Sequence, residues 1–193
     1  MKNIYLLLLI AISYESLGND AEIKDSGIKL ISAGLAISSH LKNDLPDEYT
    51  THTEGGALNL SFKYFSGNIG VGYRYILNSF GFDDDGVGEV AYDIGVTAHM
   101  VELIYMHPVA ELKLTPYVFV GKGKGSGETE TQDGGITTNT SSFDLQADKY
   151  GIGLIYGMGD GAWFHSFELS EASYSGRDTI RVSDVSIHLG YMF

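Results

Sequence analysis

Val185-Ser186-Ile187-His188-Leu189-Gly190-Tyr191-Met192-Phe193 is the stretch whose reading decides the fold. Large apolar side chains recur at 185, 187, 189, 191 and 193, Ser186, His188 and Gly190 fill the gaps, and Met192 is the one apolar exception. A period of two puts the large residues on one face of an extended strand. Chain termini in water tend to fray. A terminal strand this apolar is therefore expected to lie against something other than water, and a strand closing a barrel in lipid meets that requirement.

The same alternation recurs upstream. A first strand is expected at about 28–40, with Ile31, Ala33, Leu35 and Ile37 on one face and Ser32, Gly34, Ala36 and Ser38 on the other. A second, 57–65, turns Leu58, Leu60, Phe62 and Tyr64 outward. Ser66-Gly67-Asn68 then reverses the chain into a third, 69–78, where Ile69, Val71, Tyr73, Tyr75 and Leu77 alternate with Gly70, Gly72 and Arg74. The fourth spans 97–106 and is extended by 89–96, with Val101, Leu103 and Tyr105 outward and Glu102 inward. The fifth, 112–123, has Val118 and Val120 outward and Tyr117, Phe119 and Gly121 inward. The sixth, 148–157, sets Tyr150, Ile152, Leu154 and Tyr156 against glycines; the seventh, 162–173, sets Trp163, His165, Phe167 and Leu169 against Ser166, Glu168 and Ser170. The eighth is about 180–193.

Long polar connections, 41–56, 79–95 and 124–145, follow strands one, three and five, and a shorter one near 175–178 follows seven; tight turns follow two, four and six. The segment 124–145, rich in Gly, Ser and Thr, reads as a solvated loop. Eight strands close a sheet without an edge, which a lipid environment demands because its interior offers backbone groups no water. A soluble lipocalin-type barrel is the rival, but its core would have to be built from the glycine-and-charge face. Leu60 is expected to face hydrocarbon, where an Arg is costly, and Ser61 a polar interior better able to receive one.

The terminal Phe193 with Leu189 and Tyr191 alternating before it, and the segment Leu114-Thr115-Pro116-Tyr117-Val118-Phe119-Val120-Gly121, resemble bacterial outer-membrane β-barrels of the OmpA transmembrane-domain and OmpX type. The resemblance covers the chain from residue 19 onward and implies an all-β, eight-stranded antiparallel transmembrane barrel with short periplasmic turns and longer extracellular loops. It also implies a Gram-negative outer-membrane location and monomeric form. The implied partners are outer-membrane lipids, lipopolysaccharide and the barrel-assembly machinery, which reads the C-terminal signature Leu189, Tyr191 and Phe193. Residues 1–18 read as a signal peptide, with Lys2 ahead of the apolar run Ile4–Ile12 and Ser16-Leu17-Gly18 at the cut; 19–193 is then one barrel domain.

The 193 residues carry a net charge of −13, which argues against a nucleic-acid partner. There is no Cys, hence neither a disulfide framework nor a thiolate metal site. Asp83-Asp84-Asp85-Gly86 offers hard oxygen ligands for Ca²⁺ but lacks the EF-hand spacing, and reads better as a solvated acidic turn. No metal or other cofactor is expected.

Lys63, Arg74, Glu102, Glu168, Asp184 and His188 share the inward parity. Eight strands leave an interior just filled by side chains, so the five charges Lys63, Arg74, Glu102, Glu168 and Asp184 are expected to pair as a plug, a small low-conductance pore being the alternative. Some small outer-membrane barrels remodel the acyl chains of lipid A with Ser, His and a carboxylate. Here His165 and Ser166 are adjacent in a strand and point to opposite faces. The expected function is therefore non-enzymatic: envelope structure, or surface interaction through the loops, with no catalytic residues.

Overall fold

The structure, a computed structural model, describes residues 27–43, 54–82, 90–107, 114–133, 136–157, 162–176 and 179–193. The signal segment 1–18 and the acidic run Asp83–Gly86 lie outside these. Eight strands, β1 (Ile28–Asn43), β2 (Glu54–Ser66), β3 (Ile69–Phe82), β4 (Val90–Met106), β5 (Leu114–Asp133), β6 (Ile136–Tyr156), β7 (Trp163–Ser175) and β8 (Thr179–Met192), form a closed barrel. Each pairs antiparallel with its sequence neighbour, and β1 pairs with β8. Among the described residues no helix is long and apolar enough to cross a membrane.

Closure runs from Leu30↔Met192 to Asn43↔Ile180, with an irregularity between His40 and Lys42. Phe193 completes it through its backbone: its N–H donates to the Lys29 carbonyl at 3.0 Å, and its carbonyl accepts from Lys29 N–H at 3.2 Å. Between β2 and β3 the pair Ser66↔Ile69 leaves a two-residue turn, where Gly67 takes a φ of 59° that side chains other than glycine rarely adopt.

The alternation expected from sequence is the alternation observed, with the apolar face outside. Leu58, Leu60, Phe62 and Tyr64 of β2, Val101 and Leu103 of β4, Phe167 and Leu169 of β7 and Val185, Ile187 and Leu189 of β8 are all exposed. A closed barrel with this outer face is built for hydrocarbon. At its turn-side end Trp163 meets Tyr191 edge-on, and Tyr191 stacks on Phe193, as interfacial aromatics do.

The interior is filled by setting rings on glycines. The Tyr117, Phe164, Phe65 and His188 rings occupy the space that a Cβ would need at Gly153, Gly190, Gly70 and Gly34, respectively. Two apolar clusters result. One lies toward the turns (Leu30, Phe65, Ile104, Met106, Tyr117, Phe119, Ile155, Phe164). The other lies toward the long connections and includes Ile76, Phe80, Val96, Met100, Leu145, Tyr174 and Val182.

The connections expected at 41–56 and 79–95 are shortened at both ends, since β1 runs to Asn43, β2 begins at Glu54, β3 runs to Phe82 and β4 begins at Val90, and two further sequence expectations change. The segment 124–145 is largely strand: β5 continues to Asp133 and β6 begins at Ile136, paired rung by rung with a shift at Thr131/Gln132. On β5 the residues Lys124 to Glu130 are polar or glycine on both faces, and on β6 the apolar Phe143 and Leu145 both turn inward, so the periodicity that marks a lipid-facing strand is missing. The β-branched threonines nonetheless suit a pleated ribbon, and β4 flanks it up to Val90↔Asp133. Second, Ser61 is no refuge for a charge. It is 5% exposed, its Oγ lies 2.7 Å from that of Ser32, and its cross-strand neighbour is already Arg74.

Leu60→Arg is expected to lower unfolding stability in lipid by about 2–4 kcal/mol, the cost of a guanidinium on the lipid face near mid-depth. Ser61→Ala should cost only about 1 kcal/mol, one hydrogen bond. Reversible urea unfolding in phospholipid vesicles measures both; equal losses would mean the faces are exchanged.

Candidate functional site

The inward side chains of β4 run Met100, Glu102, Ile104, and those of β7 run Phe164, Ser166, Glu168, Ser170, Ala172. Apolar residues bracket charge in each. The same order around the wall produces a polar layer between the two apolar clusters, and it contains all the inward charges singled out from sequence.

Arg74 of β3 is its centre. Its guanidinium reaches Glu102 on the adjacent β4, Nε to Oε1 at 2.5 Å, and crosses the lumen to β7, where Nη1 and Nη2 donate to the two Glu168 oxygens at 2.6 and 2.8 Å. This fork-to-fork pairing uses the planar donor geometry that Lys lacks. Tyr117 adds a third donor to Glu168, Oη to Oε2 at 2.9 Å. The Phe119 ring lies beneath the guanidinium, 4.9 Å from Cζ, and Lys63 Nζ sits 4.7 Å from the Tyr117 ring centre. Gly72 makes room for this crowding: a Cβ there would be 3.2 Å from Glu102 Oε2 and 3.4 Å from Lys63 Cγ. All three charged side chains of the Arg74 set are fully shielded from solvent.

Asp184 belongs to a second set. Lys149 Nζ on β6 lies 2.5 Å from its Oδ2, and Ser38 Oγ on β1 donates to its Oδ1 at 2.6 Å. Asn78 Nδ2 reaches Ser38 Oγ at 3.5 Å. The five charges expected as one cluster thus divide: Arg74, Glu102 and Glu168 join directly with Lys63 beside them, while Asp184 pairs with Lys149. Lys149 was not singled out from the sequence. Its parity with Gly151 and Gly153 was the available signal, but a strand read through its glycines hid the one lysine among them.

His188 points inward and its Nε2 lies 2.9 Å from Ser186 Oγ. Both side chains are buried, 2% and 1% exposed, so this Ser–His contact offers no face to a substrate. His165 and Ser166 do lie on opposite sides of the wall, outside and inside. Among the described residues no three His, Cys, Asp or Glu gather where they could hold a metal ion. Arg74, Glu102, Glu168, Lys149 and Asp184 each have an oppositely charged partner in direct contact, Lys63 rests on the Tyr117 ring beside them, and an apolar cluster lies on either side of the charged layer.

No protein-family model and no curated protein matches the chain. Solved structures do match its fold. A major outer membrane protein of Thermus thermophilus superposes with a TM-score of 0.58 at 12% identity over 87% of this chain and 100% of that one. Ail, the attachment invasion locus protein of Yersinia pestis, in complex with the heparin analogue sucrose octasulfate, gives 0.54 at 20% identity over 86% and 99%. Neisserial surface protein A gives 0.50 at 12% identity over 86% and 97%. The fold is that of small outer-membrane β-barrels.

Arg74→Ala strands two carboxylates and is expected to cost about 3–5 kcal/mol of unfolding free energy. Adding Glu102→Ala leaves Glu168 facing Lys63 with the charge balanced, so part of the loss should return. A double-mutant cycle by urea unfolding in micelles reads the coupling; strictly additive losses would mean that water solvates these charges.

Proposed function

We propose that the protein is a non-enzymatic integral barrel of the Gram-negative outer membrane, a monomer, serving envelope structure or surface interaction through the parts of the chain beyond the lipid. The observation that carries this reading is the layered lumen, a compensated charge set between two apolar clusters. A pore-former needs a continuous wet path, and side chains fill an eight-stranded interior. An acyl-transfer enzyme needs a nucleophile that substrate can reach, and the Ser186–His188 contact is buried.

The surface role draws support from the ribbon of β4, β5 and β6, which is polar on its outward face. A general polyanion partner, of the kind represented by the heparin analogue on Ail, suits this chain poorly, since its net charge is −13. In this reading residues 1–18 are removed on export, and the strand ending Leu189, Tyr191, Phe193 is what the barrel-assembly machinery engages.

Planar-bilayer recording tests the sealed lumen. The wild type should conduct poorly and Arg74→Ala should leak more, because the broken ion pairs admit water. Steady conductance from the wild type, unchanged by Arg74→Ala, would replace the structural reading with a porin. Mass spectrometry of lipid A from cells with and without the protein should show no difference; an altered acylation pattern would make it an enzyme.

A further inference from the structure

Gly121-Lys122-Gly123-Lys124-Gly125 is a repeat that the plug leaves unused. In β5 its glycines turn inward and its lysines outward, directly above the lipid-facing Val120. Gly123 and Gly125 have no space for a Cβ against the β4 backbone at His99 and Thr97, so the strand is tucked in and both lysines are committed to the outer wall. Lys122 is 88% exposed in its side chain and forms a surface pair with Asp148 at 3.3 Å, a kind of contact that is held weakly. Lys124 is exposed and makes no ion pair among the described residues.

Neighbouring strands complete a rung around these lysines. Lys124 is paired across the ladder with His99, and His99 with Tyr75; one rung lower, Lys122 is paired with Val101 and Val101 with Tyr73. His99 Nδ1 lies 2.5 Å from Tyr73 Oη, and its ring sits 4.9 Å from that of Tyr75. The imidazole is thus fixed on the outer wall beside Lys124. Below the Lys122 rung the wall is Val71, Leu103 and Val120, all apolar.

Above it the wall changes character. A concavity of about 380 Å³ opens there, lined by Gly56 and Gly95, by Ser79, Ser126 and Ser142, and by Leu77 and Glu128. Nothing lies within 4 Å of the position a Gly95 Cβ would take. Moving away from the lipid belt, the wall is apolar, then cationic, then small and hydroxyl-rich with a carboxylate. In a phosphorylated, acylated sugar the acyl chains hang from the sugar into the apolar zone, the phosphate beside the sugar meets the lysines, and free sugar hydroxyls reach the concavity and donate to Glu128.

We propose that this outer wall of β3, β4 and β5 is a binding site for a phosphorylated, acylated sugar of the outer leaflet, with its phosphate on Lys122, Lys124 and His99 and its sugar in the Gly56–Gly95 concavity. The site rests on the membrane-barrel reading above and adds to it a specific lipid. A plain anionic phospholipid would satisfy the lysines but leave the concavity empty. The local cations are what allow an anion to bind a chain that is acidic as a whole.

Native mass spectrometry of the full barrel released from micelles provides the test, with lipid A, dephosphorylated lipid A and phosphatidylglycerol as the three probes. Wild type should retain lipid A in preference to both others. Lys122→Gln with Lys124→Gln should weaken lipid A retention roughly thirtyfold, about fivefold for each lysine lost from an anionic surface. Lys122→Arg with Lys124→Arg should keep it. Gly95→Phe, which fills the concavity, should reduce lipid A binding and spare phosphatidylglycerol. Equal retention of lipid A and phosphatidylglycerol by the wild type overturns the sugar assignment, and unchanged lipid A binding in the double Gln variant overturns the location. Heat-modifiable electrophoretic mobility is measured alongside on every variant. Its absence from the wild type would indicate failure of the barrel reading, and its presence with no lipid preference would indicate failure of the site alone.

Discussion

A peptide group surrounded by hydrocarbon has no water to bond, and leaving its N–H or C=O unpaired costs several kcal/mol each. The pairing of β1 with β8 is therefore the contact on which the others depend, since it converts eight strands with two exposed edges into a wall with none. The Phe193 backbone, bonded in both directions to Lys29, extends that seam to the final residue. Once the wall closes, its circumference is fixed, and the interior must be filled to that size and no other.

That fixed volume explains the lumen. Charges placed inside a narrow tube are costly unless partnered, and here partners come from strands distant in sequence: β3 with β7, β6 with β8, β1 with β8. The first two of these contacts tie together strands that the hydrogen-bonded ladder does not. Replacing such pairs with apolar residues of equal volume is often neutral for stability. Their advantage lies in specificity: a fork such as Arg74–Glu168 exists in a single register, whereas greasy side chains tolerate slippage.

The fold was legible because lipid outside and a filled lumen inside impose the same two-residue rhythm on every spanning strand, as in Leu58, Leu60, Phe62 and Tyr64. The rhythm also assigned Arg74, Glu102 and Glu168 to one side of the wall. It did not reveal which of them would meet. Contacts across the lumen depend on the stagger of strands around the barrel, a property of the closed sheet that no single strand encodes. Arg74 therefore turned out to bridge two carboxylates, and Asp184 to find Lys149. The ribbon above the lipid was hidden for another reason. Where β5 and β6 run on above the lipid, Lys124 to Glu130 and Asn139 to Ser142 carry no apolar rhythm, although the ladder continues.

The rings seated on glycines have a consequence for how such a sequence can drift. Elsewhere, exchanging a strand glycine for alanine gains stability by restricting the unfolded chain. At Gly153, Gly190, Gly70 and Gly34 the added methyl group meets the Tyr117, Phe164, Phe65 or His188 ring, so the usual sign reverses. Neither member of a pair can grow unless the other shrinks. Substitutions accepted over time should therefore arrive as matched exchanges across a rung, large for small on one strand and small for large on its neighbour. The pairs should be recoverable as covarying columns among relatives, even where identity has fallen too low for either residue to be recognised alone.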